Sequence, residues 1–178
     1  MWLPDLLGGR FRQRTLSLGR DAEGEIVATL VRLLPSWPAS WTGRLRDVDV
    51  LYVHGWSDYF FQTGLAQWWT DRGARFYALD LRKYGRSLRA GQTPGYVSSL
   101  AEYDADIAAA LSAMGREDKP GRRLVLLGHS TGGLTLSLWA ARHPGVASAL
   151  VLNSPWLEFQ TGAWGREALT PLVAARAR

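Results

Sequence analysis

The stretch LVLLGHSTGG, residues 124–133, runs from apolar residues directly into a glycine-rich turn. Its central GHSTG, residues 128–132, matches the G-x-S-x-G pattern, in which a strand turns sharply into a helix and exposes a serine. The apolar run Leu124–Leu127 enters the turn, and the apolar-periodic segment Leu134–Ala141 leaves it. Glycines beside the serine leave room for a strained backbone. The pattern nominates Ser130 as a catalytic nucleophile; the alternative is a glycine-rich turn with a solvated serine.

A second segment supports the catalytic interpretation. Residues 49–55 read DVLYVHG, a β-branched and aromatic run that ends on His54 and Gly55. Acyl transfer needs two backbone N–H donors, one from the residue after the nucleophile and one from a loop after an earlier strand. By position, these donors are Thr131 and Trp56. The two segments together predict an oxyanion hole beside Ser130.

These motifs resemble the α/β-hydrolase family, in particular serine hydrolases of the monoglyceride-lipase and lysophospholipase type. A third motif, ALDLRKYGRS at residues 78–87, is similar to the family's D-x-R-x-x-G-x-S loop, and the resemblance covers roughly residues 47 to 155. It implies a hydrolase of small acyl-ester or lipid-like substrates that forms an acyl-enzyme on Ser130, with neither a cofactor nor a metal. The residues expected to shape the site are His54, Gly55, Gly128, His129 and Gly132.

The order of predicted elements indicates an α/β fold. Two alternating stretches around residues 19–24 predict an antiparallel hairpin, and residues 35–43 read as a loop. Strands and helices then alternate, which favours a mostly parallel sheet with helices on both faces, six strands in all. The predicted strands are 48–53, 75–80, 122–128 and 147–152, and the predicted helices are 59–72, 97–114 and 131–142.

The acid and the histidine that should accompany a catalytic serine are not evident in the sequence after Ser130. The family's chain order is nucleophile, acid, histidine, yet no aspartate follows Ser130, and the acids there are Glu158 and Glu167. The single later histidine, His143, ends the helix that the serine opens, so it lies roughly 20 Å away at 1.5 Å rise per residue. It is predicted to cap that helix rather than to act as a base.

The chain therefore resembles the N-terminal portion of a longer α/β-hydrolase, truncated after the sixth strand. Residues 1–155 are assigned to the core, and residues 156–178 to the start of a cap or lid segment. The triad acid and histidine are then expected in sequence missing from this chain, and we expect very weak activity from the 178 residues alone. Natural loss of catalysis is the alternative, and it gives a non-catalytic binding module. An acyltransferase or peptidase of the same fold also stays open.

Composition narrows the classes of protein. The chain has a net charge of +5, a pI near 10.0 and no cysteine, which excludes disulfide scaffolds and makes the cytoplasm the expected location. Of its 21 basic residues 19 are arginines, but they are scattered, so a solvated basic surface is favoured over a nucleic-acid groove. No apolar run approaches the roughly 20 residues of a membrane span.

Three further expectations concern single elements. Asp80, at a strand end, is predicted to accept hydrogen bonds from loop N–H groups. Asp104 and Asp106 lie two apart on a helix and are predicted to be solvated. The uncovered edge of the last strand predicts self-association.

Overall fold

The computed structural model describes residues 1–115 and 121–157, which form one mixed seven-stranded sheet with helices on both faces. The strands are β1 (Leu3–Pro4), β2 (Arg12–Asp21), β3 (Gly24–Leu33), β4 (Val48–Val53), β5 (Arg75–Asp80), β6 (Arg123–His129) and β7 (Ala149–Asn153). The helices are α1 (Trp37–Thr42), α2 (Thr63–Asp71), α3 (Tyr103–Ala113) and α4 (Thr131–Arg142), with 3₁₀ turns at Gly85–Ser87 and Leu100–Glu102.

The sheet has the order β1-β2-β3-β5-β4-β6-β7. Strands β1 to β3 are antiparallel and β3 pairs antiparallel with β5, whereas β5, β4, β6 and β7 run parallel. All six residues of β4 are buried, as expected for a central parallel strand covered on both faces. The predicted α/β fold with an antiparallel N-terminal hairpin is confirmed.

Two apolar cores lie on opposite faces of the sheet because successive strand residues point to opposite sides. One core joins alternate strand residues such as Leu51 and Leu126 to α3 and α4 through Ile107 and Leu136. The other packs residues such as Val50, Phe60 and Phe76 against α2 through Ala66. The three longer helices therefore cover both faces, as the alternation of elements predicted.

The structure differs from the prediction at several elements. A seventh strand, β1, pairs with β2 at the N-terminus, and the expected loop 35–43 contains α1, whose first turn carries a proline. Helix α2 begins only at Thr63, because the N–H of Phe60 donates to the Asp80 carboxylate rather than entering a helix. Helix α3 begins after a 3₁₀ turn that Ser99 and Glu102 close with a capping box.

The expectation of a solvated Asp106 is wrong. Its carboxylate is fully buried and accepts hydrogen bonds from the Arg82 backbone N–H and from Arg82 Nε, both at 2.7 Å. The Arg86 side chain is also largely buried, between Asp5 and Asp80. A buried charge needs a partner, and these partners lie too far apart along the chain for a local pattern to reveal them.

Strand β7 forms an open edge within the described residues. Its side chains Leu150, Val151 and Leu152 are 37%, 41% and 37% exposed, which is high for apolar residues of a sheet. The proposed cap or lid segment, residues 156–178, lies outside the described residues except for Trp156 and Leu157. No helix within residues 1–115 and 121–157 is long and apolar enough to cross a bilayer.

Candidate active site

Residues with a strained backbone cluster at the carboxyl ends of the parallel strands. Four non-glycine residues in the described chain have positive φ: Ser57 (55°), Lys83 (61°), Ser130 (52°) and Ser154 (48°). They follow β4, β5, β6 and β7 in turn. Left-handed backbone is unfavourable for residues with a Cβ and clusters at functional sites. Since ligands of open α/β sheets bind beyond the carboxyl ends of the strands, this edge is the candidate site.

Ser130 occupies the junction between β6 and α4. Its φ of 52° and ψ of −120° show the strained backbone that the sequence predicted at this strand-to-helix turn. Its N–H donates to the carbonyl oxygen of Asn153 at 3.1 Å, and its own carbonyl accepts from the Trp156 N–H at 3.0 Å. The end of β7 and the loop after it therefore hold both the N–H and the carbonyl of Ser130.

Glycines allow α4 and the neighbouring loop to approach Ser130. A Cβ on Gly132 would overlap the carbonyl oxygens of Val53 and His54, and one on Gly128 would lie 2.6 Å from the Gly133 Cα. A Cβ on Gly55 would lie 3.1 Å from the Ser130 Cβ. The loop after β4 therefore passes so close to Ser130 that a side chain at residue 55 would be crowded against it.

The two residues expected to donate N–H groups lie at one cavity with the serine. Trp56 and Thr131 line a cavity of about 350 Å³ together with Ser130 and Trp156. The Trp56 ring is largely exposed and packs edge-on against Tyr84 at 6.0 Å between centroids. This arrangement leaves the serine open to a ligand between two tryptophan side chains.

His54 supports the loop that carries Trp56. A backbone N–H can only donate, so the Leu81 N–H, 3.1 Å away, makes His54 Nε2 an acceptor, and Nδ1 carries the proton toward the Gly55 carbonyl at 2.7 Å. Burial lowers the pKa of His54, which keeps the imidazole neutral. Both ring nitrogens are occupied, so His54 ties the end of β4 to the loop after β5.

The buried His54 predicts acid sensitivity of the fold. The folded-state pKa lies below the unfolded value of 6.5, so the unfolded chain binds more protons, and stability is lost as the pH falls below that value. We expect the free energy of unfolding in urea to fall by up to about 1.4 kcal/mol per pH unit from this group between pH 6.5 and 5.5. His54→Gln should flatten that slope; an unchanged slope would contradict the assignment.

The other two histidines are not brought to the serine. His143 ends α4, stacks on Trp139 at 4.4 Å and has Nδ1 2.9 Å from the Trp139 carbonyl oxygen, which agrees with its predicted capping position. His129 Nδ1 lies 3.2 Å from Asn153 Nδ2. Within the described residues, no hydrogen bond joins Ser130 to a histidine or a carboxylate. Glu158 and Glu167 lie outside these residues.

Asp80 organises the loop beside the site, as its position predicted. Its carboxylate accepts hydrogen bonds from the N–H groups of Phe60 at 2.9 Å and Arg86 at 3.1 Å. The Arg86 guanidinium lies 2.8 Å from Asp80 and 2.8 Å from Asp5, which the sequence motifs did not reveal. The N-terminal segment is thereby joined to the loops after β4 and β5.

An apolar cavity of about 250 Å³ adjoins the proposed oxyanion loop. Tyr84 forms one wall: it is buried, packs edge-on against His54 at 4.9 Å, and shares a hydrogen bond with Tyr103. The remaining lining is mainly apolar and comes from the loop after β5 and from α4, and it includes Leu81, Tyr96, Val97, Leu100 and Leu134. This cavity shares Trp56, Thr131 and Trp156 with the cavity that Ser130 lines, so the two adjoin.

The chain is similar in sequence to known bacterial proteins. The chain is 32% identical over 134 residues to a monoacylglycerol lipase of Mycolicibacterium smegmatis, covering 75% of the chain and 44% of that protein. It is 38% identical over 81 residues to lysophospholipase L2 of Escherichia coli, covering 43% of the chain and 23% of that protein. The chain thus spans less than half the length of these relatives.

Solved structures identify the fold of the chain, and a family model identifies its family. A thermostable carboxyl esterase from Bacillus coagulans superimposes with a TM-score of 0.63 at 18% identity, covering 92% of this chain and 49% of the esterase. The sheet order and helix placement are those of an α/β-hydrolase. The family model described as serine aminopeptidase, S33 matches residues 46–177, which include β4 to β7 and Ser130. The chain therefore belongs to the serine aminopeptidase S33 family of α/β-hydrolases.

Proposed function

We propose that the protein is a serine hydrolase of carboxylic esters, of the lipase, esterase or lysophospholipase type. The observation that carries this proposal is the left-handed backbone of Ser130 at the β6–α4 junction, where the residue packs against Gly55. Two relatives with names of this type, the monoacylglycerol lipase and the lysophospholipase, support the reaction class. Fold alone would not, because one fold carries many chemistries.

The proposed reaction passes through an acyl-enzyme. Ser130 Oγ attacks the ester carbonyl carbon, the carbonyl oxygen becomes an oxyanion held by the Trp56 and Thr131 N–H groups, and the alcohol leaves with a proton. Water then cleaves the acyl-enzyme to release the acid. The base that takes the serine proton, and the acid that orients it, are expected in sequence missing from this chain.

The apolar cavity supports an acyl group as the bound part of the substrate. Its volume of about 250 Å³ is below the roughly 300 Å³ at which pockets for drug-sized ligands begin, so it suits one short acyl chain. Tyr84 and Leu134 would contact that chain, while the alcohol part would lie toward Trp156. The proposed substrate is therefore a small acyl ester or a lipid-like ester.

Ester hydrolysis tests the proposal. We expect the chain to hydrolyse 4-nitrophenyl butanoate only at a residual level, at least about 10³-fold below an intact triad, because Ser130 then attacks without a base to take its proton. Ser130→Ala should remove this residual rate, whereas Ser137→Ala, on the same helix, should keep it. A rate equal in both variants would contradict the proposal. Ordinary enzyme turnover lost in Ser130→Ala would instead place a base within this chain.

A peptidase is the second candidate, since the matching family model is described as a serine aminopeptidase. The same acyl-enzyme chemistry would then cleave an amide. Release of 4-nitroaniline from an aminoacyl anilide, dependent on Ser130, would favour it over the esterase. An acyltransferase would show transfer to an added alcohol, and a non-catalytic binding module would show no reaction dependent on Ser130.

The open edge at β7 supports self-association of the 178-residue chain. Unpaired strand edges with exposed apolar side chains template further strands, and Leu150, Val151 and Leu152 provide such an edge. Light scattering should show a mass above 19.7 kDa that grows with concentration. A monodisperse monomer over a wide concentration range would contradict this prediction.

Three remaining expectations stay predictions. They are a cytoplasmic location, the lack of a cofactor or metal, and the lack of nucleic-acid binding. The lack of nucleic-acid binding is expected because the arginines are scattered, and because Arg82 and Arg86 already form buried ion pairs.

A further inference from the structure

A buried lysine lies beside the wall of the apolar cavity. Lys83 is 2% exposed, although lysine is almost never fully buried without a partner. Its φ of 61° is a left-handed conformation that glycine adopts without strain and lysine does not. A strained, buried charge is retained only where its surroundings determine it, so the contacts of Lys83 require an explanation.

Those contacts come from the distant hairpin. Lys83 Nζ lies 2.7 Å from Asp21 Oδ2 and 2.5 Å from Glu23 Oε2, at the turn between β2 and β3. Burial alone would lower the pKa of Lys83, but the hydrogen bonds to the two carboxylates outweigh it and raise that pKa, so the ammonium stays charged. The ion pairs are therefore formed throughout the neutral pH range.

The same turn holds a second part of the loop after β5. Thr93 Oγ1 donates to Glu23 Oε1 at 2.6 Å, and Gln92 Nε2 donates to the Glu25 carbonyl at 2.8 Å. The Lys83 carbonyl accepts from the Gly95 N–H at 2.9 Å, which joins the two parts of the loop. We call this set, Asp21, Glu23, Lys83, Gln92 and Thr93, the hairpin clasp.

The loop that the clasp holds lies against Tyr84. A Cβ on Gly95 would lie 2.5 Å from the Tyr84 hydroxyl, so the loop that Lys83 and Thr93 hold is closed directly on the phenol. On its other side, the Tyr84 ring contacts His54 and Trp56 edge-on. If residue 83 were free to move, the adjacent Tyr84 side chain, which forms the cavity wall, would therefore be free to move as well.

We propose that Lys83 is a positioning residue that, through its ion pairs with Asp21 and Glu23, fixes Tyr84 as the wall that limits acyl-chain length in the cavity. The acyl identity of the ligand rests on the proposed function, whereas the control of the wall does not. Lys83 does not touch the reacting atoms in this proposal. The hairpin turn, about 60 residues earlier in the chain, thereby becomes a determinant of substrate size.

Two variants separate the effect of the Lys83 ion pairs from the effect of the strained backbone at residue 83. Lys83→Gly keeps a residue that adopts positive φ but removes the ammonium. The double variant Asp21→Asn with Glu23→Gln keeps Lys83 and removes both carboxylate charges from side chains that are 32% and 25% exposed. Asp47→Asn, which breaks the exposed ion pair with Arg123, is the matched control. All are made in the full chain, and circular dichroism confirms that each is folded.

The readout is binding of butyl phenyl ether and octyl phenyl ether, which carry no ester and cannot react with Ser130. We expect wild type and Asp47→Asn to prefer the butyl ether. In both clasp variants the ratio of the two dissociation constants should shift toward the octyl ether by about tenfold. The Trp56 indole N–H resonance should move as the Tyr84 ring reorients.

An unchanged ratio in both clasp variants, with an unmoved Trp56 resonance, would overturn the proposal. A change in Lys83→Gly alone would also overturn it, since the ion pairs would then be irrelevant. Failure of the proposed function can be distinguished from failure of this proposal. If the proposed function is wrong, Ser130→Ala leaves ester hydrolysis unchanged, while ether binding still measures the effect of the clasp on the cavity.

Discussion

Replacing Gly132 by alanine is expected to destroy the site. The new Cβ would overlap the carbonyl oxygens of Val53 and His54, which belong to backbone that cannot rotate away. Helix α4 must then move off β4, and overpacking of this kind costs about 1–3 kcal/mol. A displacement of about 1 Å at a reacting group costs on the order of 100-fold in rate, so residual hydrolysis dependent on Ser130 should vanish with it.

Gly64→Ala is the matched control for Gly132→Ala. Gly64 also lies in a helix, α2, but a Cβ there would meet no atom within 4 Å. Alanine should therefore stabilise the fold by about 0.5–1 kcal/mol through helix propensity. Urea denaturation and the residual ester hydrolysis measure both effects. Equal unfolding midpoints for the two variants would show that α4 does not pack on β4 as described.

Loss of the Asp80 carboxylate is expected to be the most destabilising change of a polar group. Asp80→Ala would leave the Phe60 and Arg86 N–H groups without their acceptor, and the buried guanidinium of Arg86 with one carboxylate partner, Asp5, in place of two. Breaking a buried pair by removing one partner costs about 3–5 kcal/mol. The midpoint of urea unfolding should fall accordingly.

The control for Asp80→Ala is Asp47→Ala. The Asp47–Arg123 pair has similar geometry, at 2.9 Å, but both side chains are about half exposed. Exposed pairs contribute roughly 0–1 kcal/mol, so this variant should unfold close to wild type. If Asp80→Ala cost no more than Asp47→Ala, the buried network would not hold the loops after β4 and β5.

Local patterns were sufficient for the central part of the fold. The burial and β-branching of residues 48–53, and the glycines around Ser130, act within a few residues, so β4, β6, α4 and the strained turn were predictable. The role of Asp80 toward the Arg86 N–H was predictable because a short carboxylate at a strand end accepts N–H groups of the following loop, whereas its bond from Phe60, 20 residues earlier, was not.

Contacts between distant residues were not predictable. Asp5 with Arg86, and Glu23 with Lys83, join positions 81 and 60 residues apart, and no periodicity marks such pairs. The arginines of the loop after β5 therefore read as solvated although two of them are buried. Asp106 was misjudged because helix spacing indicates which residues share a face but not that Arg82 lies opposite.

Covalent labelling of Ser130 tests the central claim most directly. The 178-residue chain is incubated with 4-nitrophenyl butylphosphonate, whose phosphorus stands for the ester carbonyl carbon and whose oxygen would enter the oxyanion hole. Peptide mapping by mass spectrometry should find one butylphosphonyl group on Ser130, formed slowly without a base and absent from Ser130→Ala. A label on another residue, or equal labelling of Ser130→Ala, would contradict the assignment of Ser130 as the nucleophile.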